Sequence, residues 1–345
     1  IFIILFILSF LATYFVIPYS LEKFKNKKMI VLDMYKPEKN EIPTNLGIIV
    51  LFSSFIIIAI SPLISRVIDF LNLFYVGNPD LNEYHLALIL VVAIYSMYGL
   101  VDDLIDINRK LKLLLPVLFG YPLMIYVNPS VFEIPFYGEI VLTDEISFGV
   151  TSGDIFKITV IPIYVMVVSN LVNMHSGYNG LQSGLSLIIL ITLSIKSSID
   201  GELNRILPVS VFSGSILAFW FYNKYPSKVF EGNIGALMFG SVIGSTIVIQ
   251  QYWWFGFFIL LPHTFNFLLW VTWLLLMRTN PETYLEENGK HKKFGKVRPD
   301  NTIEVPNRLT LKWIPNYYFR INENHTVLVL YSISIIFCSV GILIF

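Results

Sequence analysis

The sequence is poor in cysteine and in charge. Cys338 is the only cysteine in 345 residues, which excludes an internal disulfide framework and any metal site built from paired cysteines. Charged residues make up 14% of the chain, against about 25% in a typical soluble domain. Hydrophobic residues reach 55%, and the mean hydropathy is +0.68. This composition excludes a soluble globular protein and indicates a polytopic membrane protein.

The first apolar run, IFIILFILSFLATYFVIPY, lacks a basic leading region and a small-residue cleavage site. We therefore expect a retained membrane span rather than a signal peptide. About ten such runs approach the ~20 residues that a helix needs to cross a bilayer. They lie near 1–21, 44–65, 84–101, 111–127, 154–174, 180–196, 205–222, 233–250, 252–277 and 326–345. The predicted fold is all-α, a single integral domain of about ten transmembrane helices over residues 1–345.

The basic residues predict how these spans are oriented. About 20 of the 24 lysines and arginines lie in loops that follow odd-numbered spans, which must share one side of the membrane. Only Arg66, Lys157, Lys196 and Arg205 lie on the other side. Because basic loops stay in the cytoplasm, both termini are predicted to face outward.

Two loops have features of their own. The segment VFEIPFYGEIVL, residues 131–142, has two β-prone runs around Tyr137 and Gly138, which predicts a small β-hairpin within the external segment 131–150. The segment 278–325 is a long, basic cytoplasmic loop before the last span. A loop of this length between two spans is usually functional or disordered.

Carboxylates and lysines meet in YGLVDDLIDINRKLKLLLP, residues 98–116. Asp102 and Asp103 end one apolar run, Asp106 follows them, and Lys112 opens the next run. A solvated helix end would explain a single aspartate. Two adjacent aspartates, on the predicted cytoplasmic side, favour a cation site, and hard oxygen ligands favour Mg²⁺ together with substrate phosphates.

Asparagines and glycines gather in SNLVNMHSGYNGLQSG, residues 169–184. Asn170 and Asn173 lie one helical turn apart, so both amides can face one cavity. Packing of small residues between membrane helices would explain the glycines, but not three asparagines that are costly to bury without partners. His175 is interpreted as a satisfied polar residue rather than a ligand.

The third segment, VFEGNIGALMFG, opens the eighth span at residues 229–240. Free backbone N–H groups at a helix start favour anions. Glu231 is the only carboxylate there, and simple capping is the alternative role for Asn233. Since all three segments lie on the predicted cytoplasmic side with the basic loops, they predict chemistry on a phosphate ester at the membrane surface.

Together these motifs resemble the polyprenyl-phosphate N-acetylhexosamine-1-phosphate transferases. The Asp-Asp pair after the third span and NLVNMHSGYNGL carry the resemblance. The eukaryotic and archaeal branch, the UDP-GlcNAc:dolichyl-phosphate GlcNAc-1-phosphotransferases, is favoured by further short motifs. These are KLLLP (112–116), IPTNLG (42–47) after a DxxK stretch (Asp33, Lys36), LPHTFNFL (261–268) and NRLTL (307–311).

The resemblance implies roles for individual residues. Asp102, Asp103 and Lys112 would be the catalytic group beside the metal and the lipid phosphate. Asn173, Asn233 and Glu231 would hold Mg²⁺, for which Mn²⁺ can substitute. The implied substrate contacts are Leu46, Asn170, Asn179 (uracil), Gly180, Phe230 (nucleoside), Gly232 (diphosphate), His291, Arg278 and Arg298.

Two positions depart from the family pattern. The family usually has an aspartate as a metal ligand where this chain has Asn233. The related branch often has glutamate where this chain has Thr44. The first departure implies weaker metal binding, substitution by Glu231, or an impaired copy.

The resemblance implies transfer of GlcNAc-1-phosphate from UDP-GlcNAc to dolichyl or another polyprenyl phosphate, with release of UMP. This is the first step of lipid-linked oligosaccharide assembly for N-glycosylation. The expected location is the plasma membrane of an archaeon with the active site facing the cytoplasm, or the endoplasmic reticulum in a eukaryote. Membrane lipid is an expected partner, nucleic acid is not, and a homodimer is left open.

Three alternatives stay open at this point. One is a phosphotransferase for another UDP-HexNAc or an undecaprenyl-type carrier. Another is a transporter or lipid flippase, against which the sequence shows neither a charged midplane residue nor an internal repeat. The third, an inactive homologue, is motivated by Asn233 alone.

Overall fold

The computed structural model describes residues 1–70, 81–134, 137–285 and 292–345. Within these ranges the chain is mainly helical, as predicted. The helices are α1 Phe2–Asn26, α2 Gly47–Phe70, α3 Glu83–Ile105, α4 Arg109–Phe119, α5 Tyr121–Tyr126, α6 Ser152–Met174, α7 Leu181–Ile199, α8 Leu207–Asn223, α9 Gly232–Gln250, α10 Trp253–Ile259, α11 Leu261–Thr279, α12 Pro281–Tyr284, α13 Trp313–Tyr318 and α14 Glu323–Ile344. A short 3₁₀ turn, Leu203–Ile206, precedes α8.

In the described part of the chain, eight helices are long and apolar enough to cross a membrane. A ninth is added if α10 and α11, bent by 64° at their junction, form one span. The predicted span 111–127 folds as two short helices, α4 and α5, on either side of Gly120. Pro122 lies in the first turn of α5, where its missing N–H is tolerated. A Cβ at Gly120 would lie only 2.7 Å from the Cα of Pro162 in α6, so the break allows a close helix contact.

Helix α9 is the centre of the bundle, and every residue from Ile234 to Gln250 is buried. It packs chiefly against α3 and α6. Glycines make these contacts close: a Cβ at Gly240 would lie 2.5 Å from the Cα of Ser169, and one at Gly99 would overlap the carbonyl oxygen of Asn233. In lipid, the hydrophobic effect does not drive helices together. Close approaches between helix backbones are therefore a main source of helix association.

The described residues also form four antiparallel strand pairs. They are β1 Ile30–Leu32 with β2 Glu41–Pro43, β3 Val131–Ile134 with β4 Gly138–Val141, β5 Glu145–Ser147 with β6 Val150–Thr151, and β7 Lys296–Val297 with β8 Ile303–Glu304. The β3–β4 pair, in which Phe132 faces Ile140, is the predicted hairpin. The other three pairs have strands of two or three residues, too short for an alternating pattern to reveal.

Contacts between loops define the two ends of the helix bundle. One end, here called the polar end, joins the loops before α2, α7, α9 and α14. For example, Asn179 donates to Asp33 at 3.1 Å. The opposite end carries the β3–β4 and β5–β6 pairs, and there His85 Nε2 lies 2.7 Å from the carbonyl oxygen of Asn204. The loops that the sequence placed on one side therefore do meet.

The described part of the long segment 278–325 is folded against the polar end. The N–H of Leu311 donates to Asn266 Oδ1 at 2.8 Å, and Lys312 Nζ donates to the carbonyl of Ser176 at 2.9 Å. Burial lowers the pKa of Lys312 to about 8, although the nearby Glu323 carboxylate opposes this shift. This segment therefore covers the polar end rather than extending away from it.

Candidate active site

A cavity of about 370 Å³ opens at the polar end, between the β1–β2 loop, the end of α6 and the start of α9. It collects side chains from regions that are far apart in sequence. Seven predicted site residues line it: Asp103, Asn173, Asn179, Phe230, Glu231, Gly232 and Asn233. Two segments predicted from separate motifs, 169–184 and 229–240, thus form one site together with Asp103 of α3.

The two aspartates bind the start of α9. Asp103 Oδ2 accepts a hydrogen bond from the backbone N–H of Asn233 at 2.7 Å, and Asp102 Oδ2 accepts from Asn233 Nδ2 at 3.0 Å. The first N–H groups of a helix have no partner within it and carry its partial positive charge. The two carboxylates supply hydrogen-bond acceptors and negative charge at this helix start. Polar contacts therefore hold the end of α3 to the start of α9.

Lys112 neutralises the buried member of the pair. Its Nζ lies 2.9 Å from Asp102 Oδ1 and 3.1 Å from Asp106 Oδ1. The Asp102 side chain is 7% exposed, whereas that of Asp106 is 96% exposed. Because water screens exposed pairs, Asp102 is the partner that matters energetically. Charges of both signs stand at these helix ends because Lys112 makes the burial of Asp102 tolerable.

Glu231 is the residue before α9 and also lines the cavity. Asn223 Nδ2 donates to its Oε2 at 3.1 Å. Burial raises the pKa of Glu231 to about 7, because a desolvated carboxylate is disfavoured against the neutral acid. A cation bound in the cavity would restore the ionised form.

Three predicted substrate contacts do not line this cavity. Leu46 is fully buried in the core, and its N–H donates to the carbonyl of Phe230 at 3.1 Å. The amide of Asn170 donates to Met166 of its own helix at 2.9 Å. Gly180 has a φ of 75° at the start of α7 and packs against Lys224. Leu46 and Gly180 support the cavity wall through the backbone, and a substrate contact by any of the three stays a prediction.

The two arginines predicted as substrate contacts also lie elsewhere. Arg278 is exposed in the last turn of α11. Arg298 stands at the β7–β8 turn, where its Nε lies 3.5 Å from Glu304 Oε2. His291 lies outside the described residues. Neither arginine lines the cavity, so their contact with the sugar stays a prediction.

Several residues that line the cavity were not predicted from the sequence. Asp33 and Tyr35 come from the β1–β2 loop, Gln182 from α7, Asn223 from α8, and Phe294 from the segment before β7. The DxxK stretch, which includes Asp33, was a usable signal. The others carry no local pattern, because only the fold brings them to the cavity.

The donor set suits a hard divalent cation. Carboxylates of Asp103 and Glu231 and amides of Asn173 and Asn233 line the same cavity, and oxygen donors are the ligands that Mg²⁺ prefers. Among the described residues no group of three or more histidine, cysteine, aspartate or glutamate side chains forms a metal site. The residues therefore fit an ion that draws part of its coordination from amides and from substrate phosphates.

Comparison with known proteins gives a family match. The model of glycosyl transferase family 4 matches residues 85–251, from the start of α3 to the residue after α9. This stretch contains both aspartates, Lys112 and the asparagine motif. Over these residues the chain is similar to glycosyl transferase family 4. The family resemblance predicted from the motifs is thereby confirmed.

Several similar proteins match most of the length of this chain. A Saccharolobus solfataricus protein, provisionally named UDP-N-acetylglucosamine–dolichyl-phosphate N-acetylglucosaminephosphotransferase, is 29% identical over 98% of this chain and 94% of its own. A Methanocaldococcus jannaschii protein, provisionally named a glycosyltransferase, is 29% identical over 93% and 91%. The phospho-N-acetylmuramoyl-pentapeptide-transferase of Streptococcus pyogenes is 28% identical over 72% of both chains.

The geometry predicts unequal effects within the charge cluster. Lys112→Ala strips Asp102 of its cation and should lower sugar-transfer activity by roughly 100-fold, as expected when a preorganised charge is removed. Asp106→Asn should stay within about threefold, because an exposed ion pair contributes about 0–1 kcal/mol. Initial rates of the two purified variants test this, and equal, mild losses would assign the cluster to a solvated helix end.

Proposed function

We propose that this protein moves GlcNAc-1-phosphate from UDP-GlcNAc to dolichyl or another polyprenyl phosphate and releases UMP. The observation that carries the proposal is the cavity lined by Asp103, Glu231 and the start of α9, with Asp102 and Lys112 directly behind Asn233. Full-length similarity to the archaeal protein named for this reaction supports the choice of substrates. The product would begin the lipid-linked oligosaccharide used in N-glycosylation.

The chemistry needs positioning more than a strong base. An oxygen of the lipid phosphate forms a bond to the β-phosphorus of UDP-GlcNAc, while the bond from that phosphorus to the bridging oxygen breaks and UMP leaves. A phosphate monoester, with a second pKa near 6, is largely dianionic at neutral pH. Phosphoryl transfer then depends on alignment and charge neutralisation. Lys112 supplies positive charge, and Asp102 can accept a residual proton.

Mg²⁺, or Mn²⁺ in its place, would be held by Asn173, Asn233 and Glu231. It would neutralise the diphosphate and stabilise the charge on departing UMP. Glu231 suits this role because it supplies the carboxylate that position 233 lacks. Phe230, just before α9, and Gly232, its first residue, line the cavity wall and would lie beside the nucleoside and the diphosphate.

The decisive assay follows UMP release by the purified protein with UDP-GlcNAc, dolichyl phosphate and Mg²⁺. Activity is expected to disappear with EDTA and to return with Mg²⁺ or Mn²⁺, since the donors are oxygens. Parallel reactions with other UDP-HexNAc donors, with UDP-MurNAc-pentapeptide and with undecaprenyl phosphate test the same-chemistry alternatives. Absence of UMP release in every reaction would overturn the proposed activity, and full turnover in metal-free buffer would overturn the metal.

Replacing Asn233 by aspartate tests its place beside the metal. Its amide donates to Asp102 Oδ2 at 3.0 Å, so a carboxylate there would face another carboxylate. Asn233→Asp should lower the Mg²⁺ concentration for half-maximal activity by roughly tenfold, about 1.4 kcal/mol. The variant should also unfold at a lower temperature without Mg²⁺ and regain stability with it.

Asn301→Asp is the matched control, because Asn301 is exposed in the β7–β8 turn. It should change neither the metal dependence nor the thermal stability. If Asn233→Asp behaves like this control, Asn233 does not contact the metal.

We also propose that the polar end faces the cytoplasm of an archaeon and that residues 1–345 form one integral domain of the plasma membrane. The excess of basic residues at this end supports the orientation. Single cysteines at Lys293 and Ser147, both exposed and at opposite ends of the bundle, test it in a Cys338→Ser background. An impermeant thiol reagent should label position 147 and spare position 293 in intact cells. The reverse pattern would overturn the orientation.

A further inference from the structure

A second charge cluster at the polar end, Asp33, Lys36 and Glu323, takes no part in the chemistry proposed above. Lys36 Nζ lies 3.2 Å from Asp33 Oδ2 and also pairs with Glu323 Oε2. The three side chains are between 2% and 10% exposed. The cluster joins the loop between β1 and β2 to the first residue of α14, which are almost 300 positions apart.

The cluster converges on Asn179 in the cavity wall. The backbone N–H of Asn179 donates to Glu323 Oε1 at 2.6 Å, and its Nδ2 donates to Asp33 Oδ2 at 3.1 Å. Its Oδ1 accepts from the N–H of Ser227 at 2.9 Å. Because Asp33 Oδ2 accepts a hydrogen bond and the N–H of Ser227 donates one, the side-chain amide of Asn179 can adopt only one orientation. A carboxamide has two N–H donors, and Asp33 uses one, so a single donor is left for a ligand.

Stability alone does not account for this arrangement. Burying three charges carries a desolvation penalty that ion pairing often fails to recover. Here two carboxylates share one ammonium, so the compensation is incomplete. Fully hydrogen-bonded buried networks do impose one geometry on the groups they contain. The group that this network fixes is the one that lines the cavity.

We propose that Glu323 and Lys36 are positioning residues for UDP-sugar binding. Glu323 holds the backbone and Lys36 holds Asp33, so that the remaining N–H of Asn179 is presented to an acceptor group of the bound UDP-sugar. Neither Glu323 nor Lys36 lines the cavity, and both act through Asn179. This inference rests on the proposed function for the identity of the ligand.

The test compares Glu323→Ala and Glu323→Gln in the full-length protein. Binding of UMP to the purified protein is measured by calorimetry, and KM and kcat are measured with UDP-GlcNAc. Glu323→Ala should raise the Kd for UMP and the KM by about tenfold, with kcat within about threefold. Glu323→Gln keeps an oxygen that can accept from Asn179 but loses the ion pair with Lys36, so it should recover most of the affinity.

Asp200→Asn provides the matched control. It removes the carboxylate of another ion pair, 2.7 Å from Lys196, at the opposite end of the bundle, and should leave the Kd for UMP and the KM unchanged. Should Glu323→Ala fail to fold, Lys36→Gln carries the same prediction of weaker UMP binding.

The outcomes separate this inference from the proposed function. A lower unfolding temperature with unchanged UMP affinity in the Glu323 variants would overturn the positioning role and assign the cluster to stability. If the wild-type protein binds UMP but releases none from any UDP-sugar, the proposed activity fails. Weaker UMP binding by Glu323→Ala would support the positioning role even then.

Discussion

The contact between α3 and the first turn of α9 is the constraint on which the site depends. Gly99 has no side chain, so the backbone at Asn233 can approach α3. One turn later, Asp102 and Asp103 reach the amide and the N–H of that same residue. In a bilayer, helices associate through close packing and polar contacts rather than hydrophobic force. The contacts that assemble the bundle here are therefore the contacts that assemble the site.

The charge balance at the polar end constrains what can bind there. Both clusters, Asp102–Asp106–Lys112 and Asp33–Glu323–Lys36, place two carboxylates around one lysine. Across these two clusters four carboxylates face two ammonium groups, and like charges within a few ångströms repel strongly in a medium of low dielectric constant, so the carboxylates of the clusters disfavour a diphosphate beside them. A divalent cation would reverse the balance. This argument for a metal is independent of the family resemblance.

The sequence predicted those parts of the molecule that correspond to a recognisable local pattern of residues. Long apolar runs predicted the spans, and polar residues in apolar surroundings, such as Asp103 and Asn173, were among the seven predicted residues that line the cavity. Asp33 and Glu323 were not predicted as site residues, because a charge in a polar loop is ordinary until the fold buries it. The division of α4 from α5 also escaped, since it depends on how Gly120 meets Pro162 in another helix. Arg278 and Arg298 were chosen for charge alone, and charge does not determine position.

Asn233 gives the site a property that an aspartate would remove. Its amide donates to Asp102 Oδ2, which only a residue with an N–H donor can do. A carboxylate at this position would face Asp102 across the same 3.0 Å and would need a proton or a cation between the two groups. With asparagine, α3 and α9 stay joined whether or not a metal is bound. The cation is then needed to neutralise the substrate and not to hold the helices, which is compatible with a metal that enters together with the UDP-sugar.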